Sequence, residues 1–282
     1  MTVPEYSLAV LGGLIVFLLL WRWKLNWHKT QKKKEKRFCC ETGISKTIGT
    51  REVQEDDCAV VETEEGIMAV LADGMGKQFS GKIASHAAVE VFQDIFQDRS
   101  AFYHPQYFFR RAFQEANREI LNLLQEGQGQ ASAAVCLVRN RQLYFASVGN
   151  VKIAVYRNQE LVPITSGHTI DVLARQKYQE GKLSRQAAIS LFEQHRLYNY
   201  IGQDGFHDIE FFDTPINLRG GEYILLMTDG LYEGVRWKEL EDCLEGKGNC
   251  QEKAYALIEL VNQSKEEEKD NASVVLLKVK GF

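Results

Sequence analysis

The sequence predicts an α+β fold of antiparallel sheets covered by helices, preceded by one N-terminal transmembrane helix. Three observations carry that expectation. An uncharged apolar stretch opens the chain. Short runs rich in Val, Ile, Leu and aromatic residues follow, separated by turn residues. Two long helical stretches stand consecutively between the early runs and a three-strand meander, which departs from the strict alternation of a parallel doubly wound sheet. The chain has 282 residues, and the roughly 240 beyond the apolar stretch suffice for one large domain.

Residues 6–23, YSLAVLGGLIVFLLLWRW, have an uncharged core of about 16 residues, at the short end for a hydrocarbon slab of roughly 30 Å. Tyr6 and the Trp21, Trp23, Trp27 cluster supply interfacial anchors. Glu5 precedes the stretch and every Lys and Arg follows it, which argues for an uncleaved anchor rather than a cleaved signal peptide. The basic run over 24–37 places the C-terminal side in the cytoplasm and draws it toward anionic headgroups. The expected organisation is therefore a transmembrane anchor over 1–23, a basic juxtamembrane linker over 24–42 and a domain over 43–282. The protein is expected in the cell membrane, single-pass, with that domain cytosolic.

Of 34 basic and 38 acidic residues, eight basic and two acidic ones lie within residues 1–37, leaving 26 against 36, a net of −10. So acidic a domain is unsuited to nucleic acid, whose phosphates need clustered positive charge; it suits divalent cations. The six cysteines form no CxxC pair and no His/Cys alternation, which excludes a zinc site or a disulfide framework and leaves reduced thiols.

In chain order, strands are expected over 57–61 and 67–71, helices over 81–97 and 107–125, and a meander over 133–138, 142–148 and 152–156. A strand follows over 223–227, then helices over 237–244 and 251–263 and a final strand over 273–279. The stretch 165–202 is polar and too long for an ordinary connection, so a small helical insertion or flap is expected there.

Carboxylates stand at the ends of these strands. The run 67–71 leads into Ala72-Asp73-Gly74-Met75-Gly76, the run 223–227 into Thr228-Asp229-Gly230, and Asp270-Asn271 precedes the last strand. A short carboxylate at a strand end is held rigidly, and a neighbouring glycine lets a metal or phosphate approach the backbone. Hard oxygen ligands from several strands suit Mg²⁺ or Mn²⁺. Each Asp-Gly alone reads equally as an ordinary turn.

Over residues 43–280 the chain resembles the protein phosphatase 2C family, the metal-dependent serine/threonine phosphatases, of bacterial type. The opening element is Gly49-Thr50-Arg51-Glu52-Val53-Gln54-Glu55-Asp56, with Gln where the family has Asn. Leu71 to Gly76 followed by Gly81-Lys82-Ile83-Ala84-Ser85 is the second element. His168-Thr169 with Gly181-Lys182-Leu183-Ser184 resembles the flap signature, and Thr228-Asp229-Gly230-Leu231 and Lys269-Asp270-Asn271-Ala272-Ser273 close the set. The resemblance implies a four-layer α-β-β-α sandwich. It implies that Asp73 bridges two cations, Mn²⁺ or Mg²⁺, and that Gly74 adds its carbonyl. Asp229 and Asp270 complete one shell, Asp56 and Glu55 hold the other cation through waters, and Arg51 clamps the substrate phosphate. It further implies hydrolysis of phosphoserine and phosphothreonine in proteins by a hydroxide that the two cations activate, against a serine/threonine kinase; the N-terminal anchor and basic run put that activity at the cytosolic face of the membrane.

The chain departs from the family at Asn150, where relatives carry an aspartate that helps hold a third cation; a third metal is accordingly in doubt. Gln130-Ala131-Ser132 replaces Gly-Thr-Thr, and Met75 stands where some members have histidine. These changes leave a second reading, a pseudophosphatase that binds phosphoproteins without turnover. The intact Arg51, Asp56, Asp73, Asp229 and Asp270 favour the enzyme.

Overall fold

The computed structural model describes residues 16–24, 40–96, 99–124 and 128–280, and the chain divides into two units, Met1–Phe38 and Cys39–Phe282. In the first, residues 16–24 form a helix, α1, whose apolar side chains are exposed. The Phe17 and Trp21 rings, one turn apart, lie 5.9 Å from each other. Among the described residues no helix is long and apolar enough to cross a membrane. Most of the expected anchor, residues 1–15, and most of the linker, residues 25–39, lie outside the described residues.

The second unit opens with β1 (Cys40–Thr47), β2 (Asp57–Glu62) and β3 (Ile67–Gly76), followed by helices α2 (Ser80–Phe96) and α3 (Pro105–Leu123) with a 3₁₀ turn (Arg99–Phe102) between them. Then come β4 (Gly129–Arg139), β5 (Gln142–Val148), β6 (Lys152–Arg157) and β7 (Glu160–Pro163). Helices α4 (Ile170–Gln179) and α5 (Arg185–Leu191) fill the insertion before the short strands β8 (Glu210–Phe211) and β9 (Ile216–Asn217). The chain ends with β10 (Tyr223–Met227), α6 (Asp229–Tyr232), α7 (Trp237–Glu245), α8 (Cys250–Gln263) and β11 (Ala272–Val279).

Strand β1 corrects the expected boundary: residues 40–42, assigned from sequence to the linker, pair with Leu277, Lys278 and Val279 of β11, and Cys40 is buried. A strand whose backbone is satisfied by a central partner belongs to the sheet whatever its side-chain polarity.

The first sheet runs β1–β11–β10–β6–β7 and the second β2–β3–β4–β5–β8, with β9 also on β5; every pairing is antiparallel. Strand periodicity makes the layers. Tyr223, Leu225 and Met227 of β10 and Val274 and Leu276 of β11 form one core with Leu240 and Leu244 of α7 and Leu257 and Val261 of α8. The alternate residues Ile224, Leu226, Val275 and Leu277 are equally buried and point to the opposite face, toward the second sheet. Strand β3 lies against β10 and β11 on that side and against α2 on the other, so residues 68–72 have no accessible surface.

Helix α3 starts on Pro105, whose missing N–H costs nothing at a first turn. It buries Phe109, Ala112, Phe113, Ala116 and Ile120 at three- and four-residue spacing, with Phe108 beside them. Phe113 meets Phe92 of α2 edge-on at 4.9 Å and 82°; burying each such ring contributes about 2–3 kcal/mol. Helices on both outer faces of two stacked sheets make the four layers that the resemblance implies.

Candidate metal centre

The carboxylates collect at one rim of the sandwich because each stands near the end of a strand. Asp73 lies in the last four residues of β3, Asp56 directly before the edge strand β2, which pairs Asp57 with Ala72, Asp229 after β10 at the start of α6, and Asp270 two residues before β11. Arg51, Glu55, Asp73, Gly74, Asp229 and Asp270 line one open cavity of about 410 Å³. Asp56 does not line it; the residue is buried behind the rim, its Oδ2 accepting from Thr228 Oγ1 at 3.2 Å.

Backbone geometry brings the opening segment to the closing one. Gly49 adopts a left-handed conformation with φ +64°, and a Cβ there would collide with the carbonyls of Lys269 and Asp270. That approach seats Arg51 on Asp270. Its Nε donates to Oδ1 at 3.0 Å and Nη2 to Oδ2 at 2.8 Å, a bidentate pair in a half-exposed setting. Asn271 joins the same segments: its Oδ1 accepts from Glu55 N at 2.7 Å and its Nδ2 donates to Ile48 O at 2.9 Å. Gly74 has no room for a side chain, since a Cβ would meet the Gly81 carbonyl and come within 2.8 Å of the Glu55 carbonyl.

The electrostatics are those of a site built for positive charge. Burial, then the negative charges of Asp229, Asp56, Asp270 and Glu55, hold the Asp73 carboxyl well above the usual range. Asp73 keeps some solvent contact through the cavity mouth while neighbouring atoms enclose it closely. Burial above all, with Asp229 beside it, pushes Asp56 up to about 7. Burial, then Glu233 and Asp270, pushes Asp229 up to about 6. Burial also raises Glu55, against the backbone N–H groups of Gly81 and Lys82 at the start of α2.

Glu55 Oε1 and Asp56 Oδ1 are buried without a hydrogen-bond partner, although a buried carboxylate oxygen ordinarily finds one. Among the described residues no three His, Cys, Asp or Glu side chains close on a single point as a bare-ion cage. The carboxylates ring a cavity instead, which fits Mg²⁺ or Mn²⁺, cations that prefer oxygen donors and retain part of their water. On donor chemistry, orphaned oxygens and raised carboxyl pKa values, the residues fit divalent cations.

Asn150 has a definite partner: its Nδ2 donates to Asp229 Oδ2 at 2.7 Å, while its Oδ1 is buried and unpaired. Tyr232 donates to the Asn150 carbonyl at 3.0 Å. His168 is turned inward. Its Nδ1 accepts from Gly149 N at 3.0 Å and its backbone N–H donates to Gly149 O at 2.8 Å, so it pins the root of the insertion to the turn that carries Asn150. Burial lowers its pKa, in keeping with a neutral acceptor. Thr228, Asn271 and Asn150 have positioning contacts that sequence reasoning assigned to none of them. The first two stand inside the matched motifs, and adjacency to Asp229 and Asp270 was their signal.

Comparison with known proteins agrees with this geometry. Residues 45–264 match the protein phosphatase 2C family. The serine/threonine phosphatase stp of Listeria welshimeri is 27% identical over 236 residues, covering 80% of this chain and 90% of that protein. Protein phosphatase PhpP of Streptococcus pneumoniae is 26% identical over 203 residues, 70% of this chain and 80% of that one. Among solved structures, the Streptococcus agalactiae serine/threonine phosphatase superposes with a TM-score of 0.73 at 24% identity, over 86% of this chain and 100% of its own. The catalytic domain of PstP in complex with two manganese ions superposes at 0.66 and 22% identity, over 86% and 99%. With the family matched across most of its length, the chain belongs to the protein phosphatase 2C family and is a serine/threonine protein phosphatase.

Proposed function

We propose that this protein hydrolyses phosphoserine and phosphothreonine in phosphoproteins, using two Mn²⁺ or Mg²⁺ ions over Asp73, at the cytosolic face of a membrane and in opposition to a serine/threonine kinase. The observation that carries the chemistry is the set of carboxylates at and behind the cavity: Asp56, Asp73 and Asp229 are driven toward protonation by burial and by neighbouring carboxylates, a charge excess that cations offset. PstP with two manganese ions shares the fold, which supports the same number here. Divalent cations, when bound, lower the pKa of water and neutralise charge growing on phosphoryl oxygens.

The chain's own residues supply the rest. Asp73, Asp229 and Asp270 would hold the cations, with Gly74 O; Glu55 at the cavity wall and Asp56 behind it would act through water. Thr228 and Asn150 orient Asp56 and Asp229 by hydrogen bonds of 3.2 and 2.7 Å. Arg51 presents a planar fork at the cavity mouth, matched to two phosphate oxygens. No side-chain nucleophile is required, and none of the described cysteines lines the cavity. Asn150 offers only an amide to a third cation and already donates to Asp229, which weighs against a third site.

The decisive experiment follows phosphate release from a phosphothreonine peptide by the purified protein with Mn²⁺, with EDTA, and for Asp73→Asn and Asp229→Asn. Calorimetry of Mn²⁺ binding runs alongside. Release that requires Mn²⁺ and falls at least about a thousandfold in both variants is expected, with two ions bound. Absence of metal-dependent release would establish the binding-only alternative. For the membrane, the basic run over 24–37 and the exposed apolar face of α1 support an anchor over 1–23. A reporter fused after Phe282 should be active only if it is one that works in the cytosol; the converse would overturn the orientation.

A further inference from the structure

Beside the catalytic cavity lies a larger groove of about 660 Å³ that the metal chemistry does not use. Lys77, Gln78, Phe79, Ser80 and Ile83 line it, with Leu124 from the end of α3. The two hollows are neighbours, with Gln78 lining both. The wall between them is stiff. Gln78 takes a left-handed conformation, φ +58°, which a residue with a side chain seldom adopts. Ser80 N donates to Lys77 O at 3.1 Å, Ser80 Oγ sits 2.7 Å from Lys77 O and 2.6 Å from Gln128 O, and Ile83 N donates to Phe79 O at 3.0 Å.

That turn holds Phe79 out into solvent at 63% exposure, with Ile83 at 42% on the first turn of α2. A single exposed apolar residue needs no explanation. Two of them on one groove, fixed by a left-handed turn and opening onto an active site, form a prebuilt apolar surface. Its lining also carries no carboxylate, whereas the catalytic cavity is rimmed with them. Lys77 is its one charged residue, and Phe79, Ile83 and Leu124 supply the contact surface, so an apolar side chain is the occupant that they favour.

Resting on the phosphatase reading above, we propose that this groove is a specificity subsite. It receives an apolar side chain of the phosphoprotein substrate, about three residues from the phosphorylated one. The spacing follows from chain geometry. Gly76 lines the catalytic cavity and Phe79 the groove, three residues farther on, so at most about 10 Å separates them along the backbone. An extended substrate covers at most that distance within about three residues, which sets the outer limit of the spacing. A small phosphate ester lacking a peptide chain reaches the cavity and not the groove.

The test uses the full-length protein with Mn²⁺ and phosphothreonine peptides that carry Leu or Gly three positions before or after the phosphothreonine, with p-nitrophenyl phosphate as the chain-free substrate. The Leu peptide of one polarity should show about tenfold higher kcat/KM than its Gly counterpart. In Phe79→Ala and in Ile83→Asp that ratio should collapse to about one, and Phe79→Leu should retain most of it. Equal kcat/KM for Leu and Gly peptides of both polarities, or a ratio unchanged in Phe79→Ala, would overturn the subsite while leaving the phosphatase intact. Absence of Mn²⁺-dependent turnover of both p-nitrophenyl phosphate and every peptide would overturn the phosphatase reading and the subsite with it.

Discussion

Arg51 and Asp270 hold each other through two hydrogen bonds, of 3.0 and 2.8 Å. The guanidinium thus occupies a carboxylate assigned to a metal, and the same fork is assigned to phosphate. Replacing Arg51 with Ala removes both interactions. Charge-assisted bonds of this type contribute about 1.5–3 kcal/mol, so KM for a phosphothreonine peptide should rise about 10- to 100-fold. Calorimetry should meanwhile show unchanged or tighter Mn²⁺ binding, since Asp270 is freed. An unaltered KM would remove Arg51 from the phosphate site. At this scale the motifs were legible as residue identities. Pairings were not: nothing in the order of residues says that Arg51 meets Asp270 across 219 positions, or that Asn150 donates to Asp229 across 79.

Elements follow their periodicity where one face is buried and lose it where packing is idiosyncratic. Strands β3 and β10 read clearly because their uninterrupted apolar runs are covered on both faces. Strand β1, CETGISKT, did not, because it is an edge strand with mixed side chains. Its Gly43 is needed where α8 approaches so closely that a Cβ would strike the Cys250 carbonyl. Helix α7 ends on a device that no sequence pattern announces. The ammonium of Lys253, a residue only 3% exposed, donates to Cys243 O at 3.2 Å and Leu244 O at 2.7 Å, and it also reaches Gly246 O. A cation at a helix C-terminus satisfies orphan carbonyls and complements the dipole. Lys253→Met should strand those carbonyls and lower the unfolding free energy by about 2–3 kcal/mol in a urea titration; a loss below about 0.5 kcal/mol would mean that water replaces the ammonium.

At the scale of the whole molecule, the clustered acids tie stability to pH and to metal. The carboxyls of Asp56 and Asp229 titrate near 7 and 6 in the folded, metal-free protein, and Asp73 is raised as well; all three titrate near 3.9 when unfolded. The folded state therefore binds these protons more tightly. Below about pH 4 the groups cost nothing; their destabilisation grows from there as the unfolded chain loses these protons first, and levels off above about pH 7. In EDTA the melting temperature should be at least about 3 °C lower at pH 8 than at pH 5.5, and Mn²⁺ at pH 8 should abolish the deficit. Asp73→Asn should shrink the pH dependence, and a metal-free protein more stable at pH 8 would contradict the arrangement. The sequence by itself determined the family, the α+β class, the central strands and the identity of the carboxylates, because apolar runs ending in Asp-Gly are local patterns. Tertiary structure alone decided that Asp56 stands behind the cavity rather than in it, that Arg51 rests on Asp270, that His168 is an anchor and that Phe79 faces an open groove. Each of those depends on which strand ends meet at one rim, and antiparallel pairing between residues far apart in the chain sets that.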